Sequence, residues 1–126
     1  MNGSSRIEID NEDLLACRSK LASAMKEFHT AIDDLKDLLD AVQQGEGQLA
    51  ERMAHGEKVL DVVELMDPAA YRRRMDTAED RVRKARHNVR RTMFVLAETE
   101  GSSRAEIARI WQVSRQLISR MMREKD

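Results

Sequence analysis

Four polar side chains close to the C-terminus are of types that can read the edges of base pairs: Arg115, Gln116, Ser119 and Arg120. Arginine can bond guanine O6 and N7 together in the major groove, and glutamine can do the same with adenine N6 and N7. The four lie on the polar, cationic side of a short helical pattern that Ser114 can cap. We therefore expect a helix that begins at Ser114 and presents these side chains to double-stranded DNA.

The stretch that contains them, residues 103–123, reads SRAEIARIWQVSRQLISRMMR and combines two short amphipathic helical patterns with a break that fits only a tight turn. This stretch resembles the helix-turn-helix of bacterial DNA-binding proteins. The resemblance implies that the second helix lies in the major groove and that its first residues contact the bases. In the family's pattern the buried positions correspond to Ile107, Ala108, Trp111, Val113, Ile118 and Met121.

One residue departs from the family's pattern, since Gln112 stands where the family usually has a glycine with a positive φ. A Cβ at such a position costs roughly 1 kcal/mol relative to glycine. Before the turn, Ser103 can cap the first helix and form a capping box with Glu106. Amides at helix N-termini and nearby cations bind phosphate. The phosphate contacts expected here are Ser103, Arg104, Ser114 and Arg123.

The composition of the whole chain favours long helices. Among 126 residues, 36% are charged and only 3% aromatic, with one proline and five glycines. The residues that fill sheets are therefore scarce beside strong helix formers. We predict an all-α protein, built as a long antiparallel helical hairpin or coiled-coil stalk with a C-terminal helix-turn-helix module.

Three helical patterns precede this module. The first follows a cap at Asp10 or Asn11 and ends at Gly45-Glu46-Gly47. A shorter helix from about Gln48 and a third helix from Ala69 to about Thr99 follow, separated by Asp67-Pro68. Apolar residues recur in alternating steps of four and three, which indicates coiled-coil-like packing. In the first pattern these residues are Leu14, Leu21, Met25, Phe28, Ile32, Leu35, Leu39 and Val42, with Arg18 in the slot between the first two.

Charge is distributed unevenly along the chain, although its net value is only −1. Residues 1–70 contain 7 basic residues (Lys and Arg) and 15 acidic residues (Asp and Glu). Residues 71–126 contain 15 basic and 8 acidic residues. Such asymmetry is typical of polyanion binding by the basic part. Alternatively, the two halves neutralise each other as antiparallel helices of one bundle. In the first interpretation, the third helix adds phosphate contacts at Arg83, Arg86, Arg90 and Arg91.

We divide the chain into a disordered tail at residues 1–9, a helical dimerisation region at residues 10–92 and a DNA-binding module at residues 93–126. A homodimer is expected because two recognition helices about 34 Å apart match a two-fold operator. The heptad pattern leaves open whether the long helices pair within one chain or between two. The single Cys17 forms no internal disulfide, so we expect a cytoplasmic, nucleoid-associated protein.

Enzymatic and membrane functions find little support in the sequence. His29, His55 and His87 lie on three different predicted helices without a Cys or carboxylate at metal-ligand spacing. No apolar run approaches the roughly 20 residues that span a bilayer. We expect no catalytic residue, no metal site, no cofactor and no membrane partner.

The predicted function is that of a dimeric transcriptional regulator that reads the major groove. A second possibility is a coiled-coil adaptor, in which the acidic N-terminal helix binds a protein such as a polymerase or a partition factor and the C-terminal helices are structural. In a third possibility, the acidic half occupies the basic half as a DNA mimic until a partner or an operator displaces it.

Overall fold

The structure is a computed structural model that describes the backbone of residues 2–124 and the side chains of residues 11–124. Within that part of the chain every regular element is a helix, so the predicted all-α class is confirmed. The helices are α1 (Asn2–Ala54), α2 (Val59–Leu65), α3 (Pro68–Thr99), α4 (Arg104–Trp111) and α5 (Arg115–Arg123). Among the described residues, no helix has both the length and the apolar composition needed to cross a bilayer.

The start of α1 differs from the prediction. The helix begins at Asn2 rather than after Asp10 or Asn11, so helical backbone replaces the tail predicted at residues 1–9. The side chains of residues 1–10 lie outside the described part of the chain. Once a helix has formed, each further residue adds a backbone hydrogen bond, so polar residues of ordinary propensity extend it at little cost.

The reversal predicted at Gly45-Glu46-Gly47 is wrong, because α1 continues through these residues to Ala54. A glycine inside a helix costs only about 1 kcal/mol relative to alanine. Gly45 also permits close packing, since a Cβ added to it would lie 2.9 Å from Met66 Cε. The small cost of each glycine therefore does not interrupt the helix.

The chain turns instead after Ala54. Gly56 has a φ of +92°, which suits the left-handed residue that follows many helices. The Glu57 amide donates to the Arg52 carbonyl at 3.2 Å and the Gly56 amide to the Met53 carbonyl at 3.0 Å, which is the Schellman pattern. The Glu57 carboxylate also accepts two hydrogen bonds from the Arg52 guanidinium, each 2.7 Å long. Gly56 thus caps α1, and α2 begins well after the predicted start near Gln48.

The break predicted at Asp67-Pro68 is confirmed, because α3 begins at Pro68. Asp67 has a φ of +49°, and its Oδ1 accepts a hydrogen bond from the Ala70 amide at 3.2 Å. Proline suits the first helical position because an amide there has no partner within the helix. At its other end α3 stops at Thr99, two residues before Gly101, whose φ is +105°.

The chain divides into two compact units: the first unit comprises residues 1–28 and 85–126, and the second unit comprises residues 29–84. Both α1 and α3 contribute to each unit, whereas α4 and α5 belong to the first and α2 to the second. The predicted boundary between residues 92 and 93 therefore lies inside the first unit. In that unit α1 contacts the end of α3, where Arg18 Nη2 lies 3.2 Å from Glu100 Oε2.

The core of the first unit is formed by large apolar side chains from three helices. Its buried members are Phe94, Ile107, Ala108, Ile118 and Met121. Ala97, Val113, Leu117 and Met122 pack against them. Because α5 contributes two of the buried side chains and α4 another two, neither helix can move away without exposing the core to water.

The second unit buries fewer large side chains. Its buried apolar residues are Ala31 and Leu38 of α1 and Val62 of α2. Most other residues of the predicted four-and-three series on this part of α1 are half-buried, and Leu39 is 48% exposed. One ion pair, Arg81 with Asp34, connects α3 to α1 within the unit.

Candidate nucleic-acid interface

Two short helices with capped ends hold the residues that the sequence singled out. Ser103 Oγ accepts a hydrogen bond from the Glu106 amide at 3.1 Å, which caps α4. Ser114 Oγ accepts from the Leu117 amide at 3.0 Å, which caps α5, so the helix predicted after Ser114 is confirmed. Each serine hydroxyl therefore already accepts a backbone hydrogen bond.

The turn between α4 and α5 has the left-handed residue that the family's pattern requires. Gln112 adopts φ +53° and ψ +47°, and the Val113 amide donates to the Ala108 carbonyl at 3.1 Å. A residue with a Cβ thus occupies a conformation that glycine adopts without steric cost. The departure from the family's pattern leaves the turn intact and is expected to lower its stability.

The inner face of α5 is firmly packed. Ile118 is fully buried and Met121 is 4% exposed, beside Ile107 and Ala108 of α4. Four of the six positions expected to be buried are therefore buried, and Val113 is half-buried.

Trp111 is the remaining position that was expected to be buried. It does not belong to the buried core, because its side chain is 37% exposed. It packs edge-on against Phe94, with the ring centroids 5.2 Å apart and an angle of 89° between the planes. The guanidinium of Arg90 lies 5.8 Å from the Trp111 ring centroid. Trp111 therefore covers the edge of the core and supports an arginine on its outer face.

The outer face of α5 brings the predicted contact residues together. Arg115, Gln116, Ser119 and Arg123 line one shallow depression of about 500 Å³. Arg120 is also exposed on this helix, although it does not line the depression. The helix contains no acidic residue, so cations and amide groups dominate this surface.

Ser119 and Arg104 contact each other, which the sequence did not indicate. Arg104 Nη1 donates to Ser119 Oγ at 3.0 Å, while its Nε donates to Glu98 Oε2 at 2.7 Å. The hydrogen bonds and charge of Glu98 raise the pKa of the Arg104 guanidinium. Arg104 thus joins the end of α3 to the middle of α5, as well as being a candidate phosphate contact. No sequence signal could have revealed this, because Glu98, Arg104 and Ser119 are not at any regular spacing.

The four arginines predicted to bind phosphate from α3 occupy different surroundings. Arg86 is exposed, and Arg90 is exposed beside Trp111. Arg83 lies in the second unit, where it pairs with Asp80 together with Lys84. Hydrogen bonds from Lys84 and then Arg83 lower the pKa of the Asp80 carboxyl.

Arg91, in contrast, is only 8% exposed. Its Nη2 donates to Asn88 Oδ1 at 3.1 Å, and its Nη1 lies 3.4 Å from the Glu124 carbonyl oxygen. His87 Nε2 lies 2.6 Å from the Glu124 carboxylate. Arg91 and His87 therefore hold the residue that ends α5, and we correct the prediction that Arg91 contacts phosphate, because its guanidinium is enclosed by protein groups.

The electrostatic balance of this region suits an anionic partner. Residues 85–124 contain eight arginines and four glutamates. Glu98 pairs with the Arg104 guanidinium and Glu124 contacts the His87 ring. The arginines on the outer face of α5 have no acidic neighbour on that helix. Within the described part of the chain, no three His, Cys, Asp or Glu side chains lie close enough together to hold a metal ion.

Comparison with protein-family models, with curated proteins and with solved structures finds no match to this chain.

Proposed function

We propose that this protein binds duplex DNA through α5, as a dimeric transcriptional regulator of the helix-turn-helix type. The observation that carries the proposal is the shared depression formed by Arg115, Gln116, Ser119 and Arg123. These side chains provide bidentate hydrogen-bond groups for guanine and adenine and a cation for phosphate. A helix is of a size that enters the major groove, and α5 is exposed on the side that would have to enter.

The packing of α5 supports this function because base readout requires a rigid helix. Ile118 and Met121 bury one side of the helix, while Ser114 and Glu124 define its two ends. The contact residues therefore stand on a fixed support, which lowers the conformational entropy lost on binding. Arg104 adds to this rigidity through its hydrogen bond to Ser119.

The proposal assigns supporting roles to the rest of the chain. Arg86 and Arg90 are exposed on α3 and would contact the DNA backbone without reading sequence. The long helices α1 and α3 would form an antiparallel hairpin that pairs with another copy in the manner of a coiled coil, so that two α5 helices meet a two-fold operator. Such a protein would act in the cytoplasm, at the nucleoid.

Selection of bound fragments from a random pool of duplex DNA, with the full chain, tests the proposal. We expect an enriched two-fold site, with affinity that falls steeply as salt rises. Arg115→Ala should weaken binding to that site by about tenfold to a hundredfold, since a bidentate base contact contributes about 1–3 kcal/mol. The matched control is Lys58→Ala, which removes one exposed cation from the second unit and should leave the affinity within about twofold. Equal affinities of the two variants would refute the role of α5.

A second candidate function is that of a coiled-coil adaptor for another protein, with α4 and α5 structural. It is favoured by the acidic balance of α1 and by two leucines of α2, Leu60 and Leu65, which are 76% and 72% exposed. A chain that shifts no duplex DNA at low salt and retains a defined protein partner after nuclease treatment would support the adaptor function instead.

A further inference from the structure

One apolar series runs along α3 through both units. Its members are buried in the first unit and remain partly exposed to solvent in the second unit. Along α3 apolar residues recur in steps of four and three through both units, with Thr92 in one slot. In the first unit the members of this series are buried: Ala85, Val89, Thr92 and Leu96. In the second unit they are exposed or half-exposed: Tyr71, Met75, Ala78 and Val82. The pattern of residue types is continuous, so the difference lies in what covers it.

The part of α1 in the second unit shows the same property. Ala31 and Leu38 are buried, but Leu39 is 48% exposed. The remaining apolar residues beside them are half-buried: Ile32, Leu35, Val42 and Leu49. An apolar series with this four-and-three spacing is normally enclosed on both sides by neighbouring helices. The helices within one copy of the unit therefore enclose only part of the series.

The second unit exposes further large apolar side chains. Met53 and Met66 are 46% and 42% exposed, and Leu60 and Leu65 are more exposed still. Met66 and Tyr71 line a cleft of about 420 Å³, together with Val42, Leu49 and Val63. Apolar side chains that line one exposed cleft are typical of an interaction surface.

The charges of the same unit are complementary between its two long helices. The α1 segment, residues 29–54, contains six acidic and two basic residues, whereas the α3 segment, residues 68–84, contains six basic and three acidic residues. Six exposed members of these sets form no ion pair among the described residues: Asp33, Asp37, Asp40, Arg72, Arg73 and Arg74. A surface that carries opposite charges on two helices can pair with itself, because a two-fold axis brings the acidic helix of one copy to the basic helix of the other.

We propose that the second unit is a homodimerisation surface and that its occupant is a second copy of this chain. The acidic segment of α1 in one protomer faces the arginines of α3 in its partner, and the open apolar series of both protomers is enclosed between them. A stable interface buries about 1,200–2,000 Å² in total, which requires large apolar side chains at its centre and charges at its rim. The proposal specifies the dimer on which the proposed function rests, but its test needs no DNA.

The test measures the mass of the full chain by size-exclusion chromatography with light scattering, at about 10–100 µM. The wild type should be a dimer. One triple variant, Asp33→Arg with Asp37→Arg and Asp40→Arg, should be monomeric because like charges then face each other on both sides of the two-fold axis. The opposite triple variant, Arg72→Glu with Arg73→Glu and Arg74→Glu, should be monomeric for the same reason. An equal mixture should form a heterodimer. A monomeric wild type, a dimeric triple variant or a mixture that stays monomeric would each overturn the proposal.

A matched pair of single variants tests the apolar part. Leu39→Glu should raise the dimer dissociation constant at least about tenfold, because a carboxylate would be enclosed at the interface. Leu15→Glu changes a leucine of the same helix in the first unit that is 65% exposed, and it should remain dimeric. Circular dichroism must show wild-type helicity for both, and Leu65→Glu replaces Leu39→Glu if the latter unfolds. Equal dissociation constants for the variant and the control contradict the assignment. A dimer that binds no DNA would refute DNA binding through α5 and leave the dimer intact, whereas a DNA-binding monomer would refute the dimer and leave DNA binding through α5 intact.

Discussion

The two units of this protein differ in how completely they bury their apolar side chains. Among the described residues, nine of the twelve buried apolar side chains belong to the first unit and three to the second. Of ten large apolar side chains that remain exposed, seven belong to the second unit. The first unit thus hides its apolar residues within one chain, whereas the second displays them.

The difference follows from geometry rather than from composition. In the first unit α4 and α5 cross the end of α3, so large residues such as Phe94 and Ile118 are surrounded from several directions. The second unit consists of two long helix segments and the seven-residue α2. Fewer helices therefore surround each apolar side chain there. Small residues such as Ala31 are enclosed there, while larger ones beside them remain partly in water. Similar apolar patterns therefore give a closed core in one unit and an open surface in the other.

The largest effect should come from opening the closed core. Ile118→Ala removes a fully buried side chain, and we expect it to lower the free energy of unfolding by about 2–5 kcal/mol. Leu15→Ala, a leucine that is 65% exposed, should change it by less than about 0.5 kcal/mol. Urea unfolding followed by circular dichroism measures both. Similar losses in the two variants would mean that Ile118 is not part of a closed core.

Variants of Arg91 and Arg86 in the first unit should distinguish a structural arginine from one that binds DNA. Arg91→Met leaves the Asn88 and Glu124 oxygens without their donor, so we expect a loss of about 1–3 kcal/mol in unfolding free energy and an unchanged salt dependence of DNA binding. Arg86→Met should do the opposite: it should leave stability unchanged and reduce the slope of log K against log salt by about 1. If Arg91→Met reduces the salt slope and Arg86→Met lowers the stability, the assignment of both arginines is incorrect.

The turn of the first unit offers a smaller, stabilising change. Gln112→Gly removes a Cβ at φ +53°, and we expect a gain of about 0.5–1 kcal/mol in unfolding free energy. Gly101→Ala is its counterpart, because it introduces a Cβ at φ +105° and should cost about 1 kcal/mol or more. Thermal melts of both variants should shift in opposite directions. Shifts of the same sign would show that backbone conformation does not determine the stability of these two turns.

The smallest effect is expected at the turn that ends α1. Hydrogen bonds from Arg52 lower the pKa of the Glu57 carboxyl, so its contribution to stability is fully present above the ordinary pKa of glutamate and is lost as the pH falls through the lowered value. Glu57→Gln should therefore lower Tm slightly at pH 7 and have no effect at strongly acidic pH. Because both side chains are exposed, salt should reduce the difference. A difference that grows as the pH falls would contradict this account.

Local signals in the sequence predicted the boundaries of the later helices well. Ser103, Ser114 and Pro68 mark helix starts that the structure confirms, and Gly101 follows the end of α3 as expected. Each signal acts within one helical turn through a hydrogen bond or a fixed backbone angle. Such interactions depend little on the rest of the chain, so single-residue reasoning suffices for them.

Signals that compete with tertiary packing were misleading. Two glycines at positions 45 and 47 predicted a turn, but their cost within a helix is small and α1 continues through both of them. Arg91 was predicted to bind phosphate because it belongs to a cationic run, yet its position on α3 directs it to Glu124. A charge pattern shows which residues are cationic, and only the helix contacts show which of them are enclosed.

The amino-acid sequence was enough to predict that the chain is all-α, where α3, α4 and α5 begin, and which side of α5 is polar, because these depend on propensity, capping and periodicity along a short segment. The three-dimensional structure was needed to show that Arg104 is bonded to Ser119 and that one apolar series is buried while its continuation is exposed. These features depend on which residues far apart in the chain come into contact. Burial depends on the neighbours that surround a side chain, and residue spacing along one helix does not specify them.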